Sequence, residues 1–84
     1  MKFKAQIDIM PMEELLDPQG KVVTNSLHNL GLEQISNVRI GKHINLFVDA
    51  DSEEKAKELV ENACKKLLAN LIMERYTFRL EKQN

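Results

Sequence analysis

Two histidines, one cysteine, an acidic run and a short basic stretch are the groups in this 84-residue chain that could do chemistry. His28 and His43 stand apart, and neither has beside it the carboxylate and nucleophile that a proton-relay triad requires. Surface histidines are the expectation for both. Cys64 adjoins an apolar stripe at helical spacing, where a thiol acts as a small core hydrophobe rather than a nucleophile. As the only cysteine it excludes a disulfide framework and a cysteine metal cluster. Asp49, Asp51, Glu53 and Glu54 form an acidic cluster, but with the spacing of a helix start and not of a calcium-binding loop. Gly20, Gly31 and Gly41 are too sparse for a dinucleotide or phosphate-loop fingerprint. Arg39, Lys42 and His43 could meet a phosphate or an acidic partner, and equally suit a solvated tip. No metal site and no autonomous active site is expected.

Composition narrows the classes further. Eighty-four residues make one domain, residues 1–84, with a core too small to be more than marginal without a partner. Twelve basic and thirteen acidic residues give a net charge of -1, against the basic excess of a nucleic-acid or membrane-surface binder. No apolar run approaches the roughly 20 residues of a membrane span. The first ten residues, MKFKAQIDIM, are too polar for a signal peptide, so a cytoplasmic protein is expected.

The elements that must position these groups follow from apolar periodicity. Phe3, Ala5, Ile7 and Ile9 alternate with polar residues, as in a half-buried strand, and Pro11 argues against its running far past Met10. Asp17 and Pro18 suit the N-cap and first position of a helix, along which Val23, Leu27 and Leu30 recur. Gly31 suits its C′ position, with Leu32 turning back on Leu27. Gly20, in the first turn, is a poor helix former; either something approaches its backbone closely or the turn is loosely wound. Asp51 and Glu54 have capping-box spacing for a second helix with the stripe Ala56, Leu59, Val60, Ala63, Leu67 and Leu68, fraying near Asn70. Tyr76, Phe78 and Leu80 mark a last strand, with EKQN as a solvated tail.

Between the helices, Val38, Ile40, Ile44, Leu46 and Val48 share one parity and so one face of an extended chain. A two-residue hairpin at Gly41-Lys42 would break that pattern. A three-residue loop or one long bent strand would keep it. Residues 34–49 as one strand would span roughly 53 Å at about 3.3 Å per residue. A compact domain of this length is only about 30 Å across. Either the strand folds back at Gly41, or it projects and a second chain shares it. The plan is strand, helix, long strand or strand pair, helix, strand. That is an α+β, ferredoxin-like two-layer sandwich, with both helices on one face of a mostly antiparallel sheet.

Specific strings carry more than periodicity. LLDPQGKVV, LHNLG, NVRIGKHINL and CKKLLAN before a terminal strand with RY, in register along essentially the whole chain, resemble the PurS family, the small subunit of phosphoribosylformylglycinamidine synthase. Two departures are visible: Leu71 where PurS-like chains usually have proline, and Glu74-Arg75-Tyr76 where an acidic pair usually precedes the tyrosine. The resemblance implies a non-catalytic subunit of an ATP-dependent glutamine amidotransferase complex of purine biosynthesis. It would be a homodimer or dimer of dimers joining a large synthetase subunit to a glutaminase subunit for ammonia transfer. The complex would use ATP, Mg and glutamine, with no cofactor bound by this chain, no nucleic acid and no membrane.

Partner contact is then expected at Asp17, Pro18, Gln19 and Gly20 and at Arg39, Gly41 and Lys42. Arg39 points off the apolar face, leaving its guanidinium free for a forked bond to a carboxylate. Gly41 permits a close backbone approach, and a helix start at Pro18 offers free N–H groups. Phe47, a large apolar residue on the polar parity, is the expected dimer contact. Two other classes share this element order. One is an ACT-like small-ligand regulatory module; the other is an RNA-recognition module, which Phe47 alone, without a second stacking aromatic, argues against.

Overall fold

The structure, a computed structural model, describes residues 1–83. Strand β1 is Lys2–Pro11, helix α1 Pro18–Asn29, strand β2 Lys42–Asp49, helix α2 Glu53–Ala63 and strand β3 Glu74–Gln83, with a π turn, Cys64–Leu68, ending α2. The three strands form one antiparallel sheet in the order β2-β1-β3. Phe3 lies opposite Val48, Ala5 opposite Leu46 and Leu80, Ile7 opposite Ile44 and Phe78, and Ile9 opposite Tyr76. The period-2 pattern thus places all of these on one face, which α2 covers with Ala56, Val60 and Cys64. The fold is the expected α+β, ferredoxin-like arrangement.

Three local expectations change. The capping box on Asp51 and Glu54 does not form. Ser52 is the N-cap, its hydroxyl accepting from Lys55 N at 3.1 Å, and a lysine at N3 cannot complete the box. Glu53 and Glu54 instead favour the positive end of the helix dipole. Leu59 and Leu67 leave the apolar stripe: Ala69 N donates to Cys64 O, an i→i+5 bond that adds a residue to the last turn. Cys64, Leu68 and Ala69 therefore face the sheet while Leu67 faces solvent. The EKQN segment is no free tail, because Glu81, Lys82 and Gln83 continue β3 opposite Lys4, Phe3 and Lys2; Asn84 lies outside the described residues.

The central stretch does not fold back at Gly41. Residues 36–41 precede β2 without ladder pairing and continue past the end of β1, where they meet α1. Helix α1 consequently stands beyond the sheet. Only α2 covers the sheet within one chain, and α1 supplies no side chain to the core. The expectation of both helices on one face fails for α1, because the unfolded-back strand carries it outward. The Cα radius of gyration is 16.6 Å and the longest dimension 52 Å. A compact chain of this length would have a radius near 12 Å.

Candidate functional site

Both segments expected at a partner interface meet at the neck of this projecting arm. Asp17 caps α1 as its sequence position requires: Oδ1 accepts from Gly20 N at 3.0 Å. Its Oδ2 accepts from Ile40 N at 2.9 Å, so one carboxylate holds both the helix start and the returning chain. The bonds from Ile40 and Gly20, with the Arg39 guanidinium beside them, hold the Asp17 carboxyl below the usual range. Gly20 is buried, and a Cβ there would overlap the Val38 carbonyl. Close approach, and not a loose turn, is thus the reason for this glycine. Thr24 completes the contact, donating to Gly20 O at 2.9 Å and accepting from Val38 N at 3.2 Å.

Arg39 is not free in solvent. Its Nη2 donates to Met12 O at 2.6 Å and reaches Pro11 O at 3.5 Å, with Nε 4.0 Å from Asp17. The guanidinium meets main-chain carbonyls because the chain leaving β1 runs beside the chain entering β2. At Gly41 the close approach comes from β1 itself, where a Cβ would overlap the Ile9 carbonyl and the Met10 sulfur. Pro18, Gln19 and Lys42 are exposed. Lys42 Nζ lies 3.6 Å from Glu74, whose other oxygen accepts from Asn70 N at 2.8 Å. Two open grooves flank the neck. One, of about 520 Å³, is polar, with Lys21, Asn25 and Asn37 on its wall; the other, of about 420 Å³, runs between Leu16, Pro18 and Met73.

The polar sheet face carries the second candidate region. Phe47 is 61% exposed there, with the Lys2 ammonium 6.0 Å from its ring centre. Periodicity alone singled it out. Sequence reasoning missed the cross-strand network beside it, which only the register reveals. His43 Nδ1 lies 2.6 Å from Asp8 Oδ1, and Nε2 lies 2.9 Å from the Asn45 side-chain oxygen. Arg79 bonds Gln6 at 2.6 Å and lies 3.9 Å from Asp8. Only the protonated ring can donate from both nitrogens, so the Asp8 bond, and after it the Asn45 contact, raises the His43 pKa above the ordinary value of 6.5. A raised folded-state pKa contributes stability that is fully present below 6.5 and is lost as pH rises through the folded value. Thermal melts of wild type and His43→Gln should therefore differ more at pH 5.5 than at pH 8.5. A gap that stays constant or widens with pH would remove the Asp8 pair as its cause.

Tyr76, Cys64 and His28 serve the fold. Tyr76 donates to Glu61 at 2.6 Å, tying α2 to β3, and that bond pushes the phenol up to about 12. Cys64 is buried, and burial pushes its thiol up, away from the reactive thiolate. His28 donates to Ile35 O at 2.7 Å. Among the described residues no three His, Cys, Asp or Glu side chains converge on a point where a metal ion could sit.

Comparison with known proteins bears on this geometry. Residues 4–82 match the family model PurS, phosphoribosylformylglycinamidine (FGAM) synthase. The PurS subunit of that synthase from Methanocaldococcus jannaschii is 36% identical over 80 residues, 95% of this chain and 96% of its own length. The Bacillus subtilis subunit is 35% identical over 79 residues, covering 94% and 93%. Among solved structures, B. subtilis PurS superposes with a TM-score of 0.85 at 35% identity, over 95% of this chain and 99% of that one. A chain of the Thermotoga maritima PurLQS structure does so with a TM-score of 0.88 at 34% identity, over 96% and 99%.

Proposed function

The chain belongs to the PurS family, and from that premise we propose that it is the small, non-catalytic subunit of phosphoribosylformylglycinamidine synthase in purine biosynthesis. It joins the ATP-using synthetase subunit to the glutaminase subunit, so that ammonia released from glutamine reaches the synthetase site without escaping into water. ATP, Mg and glutamine are used by the larger subunits, and this chain binds none of them. The observation that carries the reading is the near-complete superposition on a chain of the PurLQS structure. The complex works in the cytoplasm, and no helix of the described residues is long and apolar enough to cross a membrane.

The neck is the proposed contact with the larger subunits. Pro18, Gln19 and Lys42 present the outer surface, while Asp17, Gly20, Arg39 and Gly41 hold its shape. The test is reconstitution: the isolated chain should turn over neither glutamine nor ATP, and should restore glutamine-dependent synthesis to the two larger subunits. Robust turnover by the chain alone would refute the proposal.

A second copy of the chain is the nearest partner, in a dimer or dimer of dimers. The described chain exposes 6248 Å², where a compact protein of this mass exposes about 5,100 Å². The excess is of the order of the roughly 800 Å² that each partner buries in a standard interface. Val22, Leu30, Leu32 and Ile35 on the arm are exposed, and Ile44, Leu46 and Val48 on β2 are not fully buried. Sedimentation at micromolar concentration should show a dimer or larger species. Phe47→Asp should weaken it, because a carboxylate cannot be desolvated in an apolar contact. A Phe47→Asp protein that associates like wild type would take Phe47 out of the interface.

A further inference from the structure

Helix α1 and residues 30–37 form an arm whose orientation to the sheet depends on a few polar contacts. The core holds no side chain of α1. The chain leaves the sheet at Pro11–Met12 and returns through Arg39–Ile40, and Arg39 and Asp17 join these two passes side to side. Arg39 donates to Met12 O and reaches Pro11 O; Asp17 accepts from Ile40 N and lies 4.0 Å from Arg39 Nε. Met12 is fixed in turn, since its N–H donates to Met73 O at 2.9 Å at the start of the β3 side. Swinging the arm would pull Asp17 away from Ile40 N and from Arg39, whose guanidinium is held by carbonyls at this same end of the sheet.

We propose that the Arg39–Asp17 cluster is a clasp that aims the arm, so that Arg39 governs self-association by positioning α1 and not by touching the partner. The chemistry suits the task. A guanidinium offers several donors in a rigid plane and can span two main-chain oxygens and a carboxylate, which a lysine ammonium on a flexible stem does less well. The arm carries exposed Val22, Leu30, Leu32 and Ile35, apolar groups that must arrive at a fitting surface at the correct angle. A second copy is the occupant, for the surface-area reason given above, and the proposal rests on that dimer reading.

The experiment compares wild type, Arg39→Ala and Arg39→Lys by sedimentation, and by residual dipolar couplings and amide exchange at concentrations low enough to hold each protein monomeric. In wild type the couplings of α1 and of the sheet should fit one orientation frame. In Arg39→Ala the sheet amides should stay protected while α1 no longer fits that frame, and association should weaken about 10- to 100-fold, the range for losing charged hydrogen bonds. Arg39→Lys should fall between the two, and serves as the test should the alanine protein fail to fold. Weaker association with α1 still in the sheet's frame would mean direct contact and would overturn the clasp. So would unchanged association. A wild-type protein that stays monomeric at high concentration would defeat the dimer reading instead, and the frame measurement would still judge the clasp.

Discussion

Alanine at Gly20 is expected to destabilise the chain by about 2–3 kcal/mol, as overpacking against an immovable neighbour does. The added Cβ would overlap the Val38 carbonyl oxygen and lie 2.9 Å from Asp17 Oδ2. Neither can retreat cheaply. Val38 N is bonded to Thr24, and the Asp17 carboxylate is held by Gly20 N and Ile40 N. The higher helix propensity of alanine, about 1 kcal/mol over glycine, offsets only part of this cost. Urea denaturation would show a lower midpoint with an unchanged slope, and complementing activity should fall with the neck's integrity. A Gly20→Ala protein as stable as wild type would mean that the returning chain does not press on α1.

Ile7→Ala should cost about 2–4 kcal/mol, within the range for removing a buried isoleucine side chain. Ile7 is fully buried in the central strand, between Ile44 on one neighbour and Phe78 on the other, beneath α2. With so thin a core, that loss consumes much of the stability of a small domain. The proposed self-association would stabilise the folded state by mass action, so the midpoint of both proteins should then rise with concentration. A cost below about 1 kcal/mol would show that the site collapses around the missing atoms.

Alternation made the sheet legible. Three strands whose apolar residues keep strict parity can register in few ways, and Phe3, Ala5, Ile7 and Ile9 find their partners as that parity requires. The ends of α1 were equally legible, since Asp17, Pro18 and Gly31 each suit one position. Gly31 takes φ 85°, and Leu32 N bonds Leu27 O in the expected helix ending. The π turn was not, because one inserted residue leaves no mark on a helical stripe rich in leucine. Nor was the choice at Gly41, where a fold-back and a projecting strand share one pattern. The 52 Å length decides for projection. Arg39 shows the limit at the site. Parity told that it leaves the apolar face, but only the tertiary path shows that carbonyls of Pro11 and Met12 wait there.

In the proposed role this chain enables ammonia transfer between two larger subunits and takes no chemical part itself. The most direct measurement is product formation by the two larger subunits with glutamine or with a saturating ammonium salt as nitrogen donor, each with and without this chain. The chain is expected to be required when glutamine is the donor and dispensable when ammonium is supplied in excess. A chain required equally with both donors would contradict it, because the chain would then serve the synthetase chemistry itself.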